Sequence, residues 1–480
     1  MSGFTLAGTK LRGRQQDALR DSELHRKVAT GVDKFVVRKQ GALDGIGLSP
    51  AHGDDLTGDA DDLRHAARAM RARTIERLPE ILERFADKLL ANGVHVHWAE
   101  DGEAANAAIV AIARRIGART VVKGKSMATE ETALNQALEA IGAEVVETDL
   151  GEWIIQLDHD TPSHIIAPAL HLDRHDIKRI FDEHAGAGGI GTTPEVLNAF
   201  ARKELRQRFL SADLGISGCN LGIAETGSIL LVENEGNGRM CTSLPRVHVA
   251  VMGMERIVDS WADANLVVNL LARSATGQPL SSYTNIITGP RRGSDADGPD
   301  ELHVVILDNG RSDLLGTEFA EMLNCIRCGA CLNVCPVYRQ TGGHAYGWVY
   351  SGPMGAVLTP LLAGKAHPEA AEVANASTLC GACMDACPVS IPLQDLLLAA
   401  RRRRAADAAS LSERAAWKAW SAAWSHRRTY EASMKGVGIG GHLFGTRAGS
   451  LPGAKRWTDG RTLPVPARES FRAMWKKGDV

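Results

Sequence analysis

No stretch of this 480-residue chain approaches the ~18 consecutive apolar residues of a membrane span. Residues 1–36 hold no apolar core of signal-peptide length, so no secretory leader is expected and a reducing cytoplasm is the expected setting. The formal net charge of -2 favours no class of charged partner. A P-loop is also missing: Lys123-Gly124-Lys125-Ser126 lacks the G-x-x-x-x-G-K-[ST] spacing that ATP binding requires. Gly186 to Gly191 matches G-x-G-x-x-G, but the preceding Asp176 to His184 reads as a helix, whereas a dinucleotide fingerprint needs a strand there. A linker between helices is the expected structure. With no flavin or nicotinamide motif, hydride abstraction has no visible acceptor in the chain.

Cysteine is present and concentrated. Of nine cysteines, seven lie in two runs, Cys325-x2-Cys328-x2-Cys331-x3-Cys335-Pro336 and Cys380-x2-Cys383-x3-Cys387-Pro388. Thiolates are soft, strong ligands for iron, and the tight C-x-x-C-x-x-C turn lets three of them grip one cluster while the fourth points elsewhere. In two-cluster ferredoxins that fourth cysteine serves the other cluster. By that pattern Cys325, Cys328, Cys331 and Cys387 hold cluster one, and Cys335, Cys380 and Cys383 hold cluster two. The second set is one ligand short. It takes either a three-iron cluster or a four-iron cluster whose last iron is held by water, a non-cysteine side chain or a partner. A structural zinc site suits the paired Cys-Pro endings and the odd ligand count less well. Cys219 and Cys241 match no ligand motif and read as small buried apolar residues.

Length predicts about three domains at roughly 150 residues each. Charge is unevenly spread: from Arg401 onward, seventeen Lys and Arg face six Asp and Glu, so this segment carries +11 and the remainder -13. Arg401 to Arg404 follows a Leu-rich amphipathic segment without interleaved aromatics, which reads as a solvated helix face rather than a nucleic-acid patch. Trp417, Trp420 and Trp424 share one helical stripe, the pattern of a packing face.

Before the cysteines the pattern is α/β. Helix is predicted over Asp61–Asn92, Ala104–Ile116, Ser126 to Gly142 and Pro194 to about Phe209, with strands at Val94–Trp98, Thr120–Lys123, Ala143–Thr148, Ile229–Val232, Val247–Met252 and Leu302–Leu307. This alternation points to a mainly parallel sheet covered on both faces. Loops at strand ends are where such proteins place their chemistry. There, Glu225 is a candidate catalytic base or polar anchor, and Arg239 a candidate carboxylate clamp. The competing reading of Asn234 to Arg239 is a hairpin turn. Lys123 to Ser126 offers two cations and a helix N-terminus to an anion.

Lys123-Gly-Lys-Ser-Met127, Pro162-Ser-His-Ile-Ile166, Ala224-Glu-Thr-Gly-Ser228, Asn234-Glu-Gly-Asn-Gly-Arg239, Asp308-Asn-Gly-Arg-Ser312 and Gly342-Gly-His-Ala-Tyr346 resemble the lactate utilization protein B family. So do both cysteine runs, Glu147-Thr-Asp-Leu-Gly-Glu152 and the segment from Leu463 through Trp475. Ser390 stands where a basic residue is more usual. The resemblance implies an α/β body of the ribose-5-phosphate isomerase and CoA-transferase-like fold, then an α-helical ferredoxin-type two-cluster module and a mostly helical or irregular C-terminal region. The corresponding division is an N-terminal arm (1–58), the α/β domain (59–312), the iron-sulfur domain (313–400) and a basic Trp-containing region (401–480).

The implied function is the iron-sulfur electron-transfer subunit of a multicomponent system oxidising L-lactate to pyruvate and so allowing growth on lactate. The implied cofactors are two clusters, most simply 4Fe-4S, the second with 3Fe-4S or a non-cysteine ligand as the alternative. The expected partners are the other lactate-utilization subunits, with a small hydroxy or keto acid and peripheral association with an electron acceptor also compatible. The alternatives are a redox sensor or scaffold without its own turnover, or an autonomous 2-hydroxy-acid dehydrogenase working through Glu225 and Arg239.

Overall fold

The computed structural model describes residues 10–44, 60–364, 367–408, 410–444, 467 and 469–478. Leu463 to Pro466, part of the C-terminal resemblance, and residues 45–59 lie outside the described residues. The chain divides into two compact units, Met1–Arg404 and Ala405–Val480.

The first unit is built on ten strands: β1 (His95–Ala99), β2 (Thr120–Lys123), β3 (Glu144–Glu147), β4 (Leu214–Gly218), β5 (Leu221–Ile223), β6 (Ser228–Glu233), β7 (Val247–Gly253), β8 (Ile257–Val258), β9 (Tyr283–Ile287) and β10 (Glu301–Leu307). Six form one sheet in the order β1-β10-β7-β4-β2-β3, every pairing parallel. Its central strands β4, β7 and β10 are almost wholly buried and rich in β-branched and apolar residues, as a sheet covered on both sides requires, while the edge strand β1 is partly exposed. Val305 and Val249 face a core shared with the helix Gly102–Ile116, while Val304 and Ala250 face the core that continues to the cysteine-bearing loops. A second sheet, β8-β5-β6-β9, pairs β5 with β6 and β6 with β9 antiparallel.

Several expectations shift in detail. The long helix expected over Asp61–Asn92 is two, Ala60–Glu76 and Leu78–Ala91, because Pro79 has no N–H to donate and its ring crowds the preceding turn. The helix expected from Ser126 to Gly142 is likewise two, Met127–Glu131 and Leu134–Glu139, broken where Ala133 takes a left-handed φ of 53°. Asn234 to Arg239 is not a hairpin. It is a strand-to-helix connection, with Gly236 at φ 83° leading into the helix Asn237–Ser243.

The N-terminal segment is more than an arm. Val28 and Val32, on the helix Ser22–Asp44, are fully buried. Along the same helix Lys39 Nζ donates to the Ala386 carbonyl at 2.6 Å, and the Ala42 carbonyl accepts from Arg273 at 2.7 Å. One hydrophobic core runs from this helix through the sheet to Leu397. The division at residue 312 is therefore one of motif, with packing continuous across it.

The second unit holds helices Leu411–Trp424, Arg427–Phe444 and Phe471–Lys477. Trp417, Trp420 and Trp424 are exposed and contact one another, Trp417 edge-on to Trp420 with ring centroids 5.6 Å apart and Trp420 tilted against Trp424 at 5.2 Å. The expected packing face is thus a surface stripe whose rings contact each other. Arg401, by contrast, is turned inward from the expected solvated face: it donates to the carbonyls of Ala374 and Ser377 at 2.9 and 2.7 Å.

Candidate iron-sulfur centres and the adjoining cavity

The cysteine runs fold as loops between short helical turns, and they cross. Cys325, Cys328 and Cys331 line one small cavity together with Cys387 from the second run. Cys335 from the first run lines another with Cys380 and Cys383. Apolar side chains wall the first: Ile165, Met322, Ile326, Met354, Val389 and Leu393. Backbone N–H groups point at its sulfurs, Arg327 N at Cys325 Sγ (3.4 Å) and Ile391 N at Cys387 Sγ (3.3 Å). Burial, and then the neighbouring Cys387 and Cys325, push the Cys328 thiol up to about 12. Cys328, Cys331 and Cys387 are buried and Cys325 half-buried, and four thiolates gathered around one cavity repel one another unless a cation binds between them, which is the chemistry of an iron-sulfur ligand set.

The surroundings supply positive charge. Arg64 donates to the Cys387 carbonyl at 2.8 Å, Arg256 to the Cys325 carbonyl at 2.9 Å and Arg68 to the Ser390 carbonyl. Ser390 therefore lacks a basic side chain of its own but has a guanidinium delivered to it from the helix Ala60–Glu76. Such cations offset the net negative charge of a thiolate-ligated cluster and help set its potential. The residues present fit the group. The second site is closer to the surface: Cys380 is exposed, and a hydrogen bond from Thr378 helps lower its thiol below the usual value.

A larger cavity of about 330 Å³ lies at the carboxyl ends of β2, β4 and β7, lined by Gly124, Gly218 and Gly253 where these strands finish. Open parallel sheets bind ligands at this end. A Cβ at Gly253 would meet the Glu255 carboxylate at 2.3 Å and the Arg311 guanidinium at 2.7 Å, so a side chain there would push this ion pair aside. Lys125, Arg256, Arg311 and Arg327 supply the cavity's cations, matched in number by the acids Asp149, Glu233, Glu235 and Glu255. Ile165 and Arg327 line both this cavity and the four-cysteine one, so the two share a wall.

A buried ionic network fixes that wall. Arg311 forks onto Glu131 at 2.8 and 2.9 Å and reaches Glu255 at 2.6 Å, while Glu255 also accepts from Arg327 at 3.1 Å. Tyr350 donates to Glu131 at 2.7 Å and lies 4.7 Å beneath the Arg327 guanidinium. Burial alone would raise the Glu255 carboxyl, but Arg311, Arg327 and Arg256 outweigh it and bring it down to about 2. Both acids are therefore ionised at neutral pH.

The structure does not bring Glu225 and Arg239 together. They stand beyond opposite ends of β6, both exposed, and neither lines the cavity. Glu225 accepts from Trp261 N at 2.9 Å and so caps the helix Trp261–Thr276. Of the two cations expected to meet an anion, Lys123 is fully buried and held by Glu130 and Glu147, each at 2.8 Å. Only Lys125 faces the cavity, donating to the Ile166 carbonyl at 2.7 Å. Gly186 to Gly191 connects the helices Arg174–His184 and Pro194–Ser211, so no strand immediately precedes it in the chain. Cys241 is buried as expected, whereas Cys219 is half-buried in the cavity wall. Sequence reasoning missed Glu131, Glu255, Arg256, Arg311, Arg327 and Tyr350, although Arg311 lies in one of the resemblance-bearing runs, just after β10.

Residues 82–307 match the LUD domain, 321–391 the 4Fe-4S dicluster domain, and 401–480 the C-terminal domain of lactate utilisation protein B. A lactate utilization protein B of Shouchella clausii is 46% identical over 95% of this chain and 97% of its own. The chain belongs to the lactate utilization protein B family. A further such relative, from Macrococcus caseolyticus, is 46% identical over 87% of this chain and 89% of its own. An uncharacterized electron transport protein of Escherichia coli is 43% identical over 98% of this chain and 96% of its own. A solved DUF162 family protein from Deinococcus radiodurans covers 48% of this chain and 98% of its own at 19% identity, with a TM-score of 0.27, too distant to bear on the fold. The chain joins an α/β body that matches the LUD domain to a region that matches the 4Fe-4S dicluster domain. Among the described residues, no helix is long and apolar enough to cross a membrane.

Proposed function

We propose that this protein is the iron-sulfur electron-transfer component of a multicomponent system that oxidises L-lactate to pyruvate. The observation that carries this reading is the shared wall: a cavity sized for a small organic acid lies against the four-cysteine site, separated from it by Ile165 and Arg327. The names of the relatives supply the substrate. We assign Cys325, Cys328, Cys331 and Cys387 to one cluster, and Cys335, Cys380 and Cys383 to the other.

Oxidation of lactate releases two electrons and two protons, and each bound cluster supplies a one-electron acceptor. The chain's own residues insulate and tune. The apolar wall of the four-cysteine site excludes water, and Arg64, Arg68 and Arg256 supply positive charge around it. Exposed Cys380 makes the three-cysteine side the exit face toward an acceptor. Lys125, Arg256 and Arg327 favour a second element of the reading, that the cavity receives the carboxylate of a small hydroxy or keto acid.

The test is complementation. A strain lacking this chain should lose growth on L-lactate and regain it with the wild-type gene but not with Cys331→Ala. Full growth with Cys331→Ala would overturn the assignment.

A further inference from the structure

We infer that Ser377 is the ligand that completes the second cluster. The inference rests on the two-cluster reading above. The two runs superpose residue for residue as sequence: Cys325, Cys328, Cys331 and Cys335 occupy the places of Ser377, Cys380, Cys383 and Cys387. Gly329-Ala330 matches Gly381-Ala382, and Pro336 matches Pro388. Serine therefore stands where the missing eighth cysteine belongs.

The backbone repeats the correspondence. Arg327 and Leu379, each two residues after the first position, both adopt a left-handed φ rare for side-chain-bearing residues, 59° and 57°. Gly329 and Gly381 follow at φ 75° and 87°, each opening a short helix, Ala330–Asn333 and Ala382–Asp385. In the first loop Arg327 N donates to Cys325 Sγ at 3.4 Å; in the second, Leu379 N donates to Ser377 Oγ at 3.1 Å. The serine oxygen thus takes the place of the cysteine sulfur in the same local bond. Ser377 also lines the cavity of Cys335, Cys380 and Cys383. Arg401 fixes this loop from behind through the carbonyls of Ala374 and Ser377.

Cys335 and Cys387 cross between the sites, so each cluster draws three ligands from one run and one from the other. Ser377 does for the second cluster what Cys325 does for the first. Binding replaces the Oγ–H bond with an Oγ–Fe bond, the proton leaves to water, and no electron moves. Oxygen is a harder donor than thiolate, which gives the second cluster one iron of distinct character on the exposed side.

The test uses full-length protein reconstituted anaerobically with iron and sulfide, compared with S377A and S377C by iron analysis and EPR. The wild type should hold about eight irons per chain without a three-iron signal. S377C should keep about eight and shift the potential of the second cluster. S377A should fall to about seven with a three-iron signal, or keep about eight with an altered second-cluster spectrum. An unchanged first-cluster signal in each variant shows that the fold survives. The inference is overturned if S377A matches wild type in iron content and spectrum, or if wild type itself holds about seven irons with a three-iron signal. A wild type that assembles no cluster contradicts the two-cluster reading itself, and the inference with it.

Discussion

Replacing Arg311 by methionine removes four charge-assisted hydrogen bonds at once, two to Glu131, one to Glu255 and one to the Asp308 carbonyl, from a site where the Arg311, Glu131 and Glu255 side chains are at most 2% exposed. The carboxylates stay behind. Glu131 keeps neutral donors, Asn309 at 2.6 Å and Tyr350 at 2.7 Å, and Glu255 keeps Arg327 at 3.1 Å. Breaking a buried pair from one side costs about 3–5 kcal/mol, because desolvation of the remaining charge is no longer offset. The cost depends on pH. Glu255 titrates at about 2 in the folded protein, below its unfolded value, so its contribution is complete above the ordinary carboxylate range and is lost as pH falls toward 2. The variant's carboxylates, freed of Arg311, take up protons at higher pH than in the wild type. Urea unfolding followed by circular dichroism should show R311M destabilised by about 3–5 kcal/mol at pH 7, with the gap narrowing toward pH 3. A loss below about 1 kcal/mol at pH 7, or a gap that widens in acid, would refute the reasoning.

His248 is fully buried on β7 beside Ser217 Oγ at 2.8 Å, and burial, with His303 nearby, lowers it to about 3. Its stabilisation is full above pH 6.5 and declines as pH falls toward 3, so between pH 7 and 5 wild type should lose about 2 kcal/mol more than His248→Gln in urea midpoints analysed at fixed m. Lys125→Gln should weaken pyruvate or lactate binding at the cavity about tenfold or more by calorimetry, the ~1.5–3 kcal/mol of a hydrogen bond to a charged group; unchanged affinity would remove Lys125 from the site. Glu225→Gln should leave lactate-linked turnover intact and cost at most ~1 kcal/mol, as expected for a helix cap. A large fall in turnover would return it to the catalytic candidates.

The parts of this molecule that were legible in sequence are those whose determinants lie close together along the chain. Cysteine spacing is dictated by the reach of a tight loop around a cluster, so Cys325 to Cys335 can be read directly. The β-branched runs at Thr120–Lys123 and Val247–Met252 report burial on both faces of a strand. Charge networks are different. Glu131, at the end of the helix Met127–Glu131, and Glu255, Arg311 and Arg327, from three connections, come from four separate segments, and nothing local to any of them predicts that they meet. The N-terminal helix was equally obscure, because Val28 and Val32 are too few to distinguish a docked helix from a loose one before their partners are known. Ser377 was legible but overlooked: laying one cysteine run over the other places it at the vacant position, provided that serine is read as a ligand type.

In the proposed function, electrons from lactate pass through this chain. The most direct measurement is anaerobic addition of L-lactate to the reconstituted protein, alone and with its partner subunits, followed by cluster absorbance and EPR. The account predicts bleaching only in the assembled system, with both cluster signals of this chain appearing. Bleaching of the isolated protein would make it a dehydrogenase in its own right, and absence of bleaching in the complete system would contradict electron transfer through it.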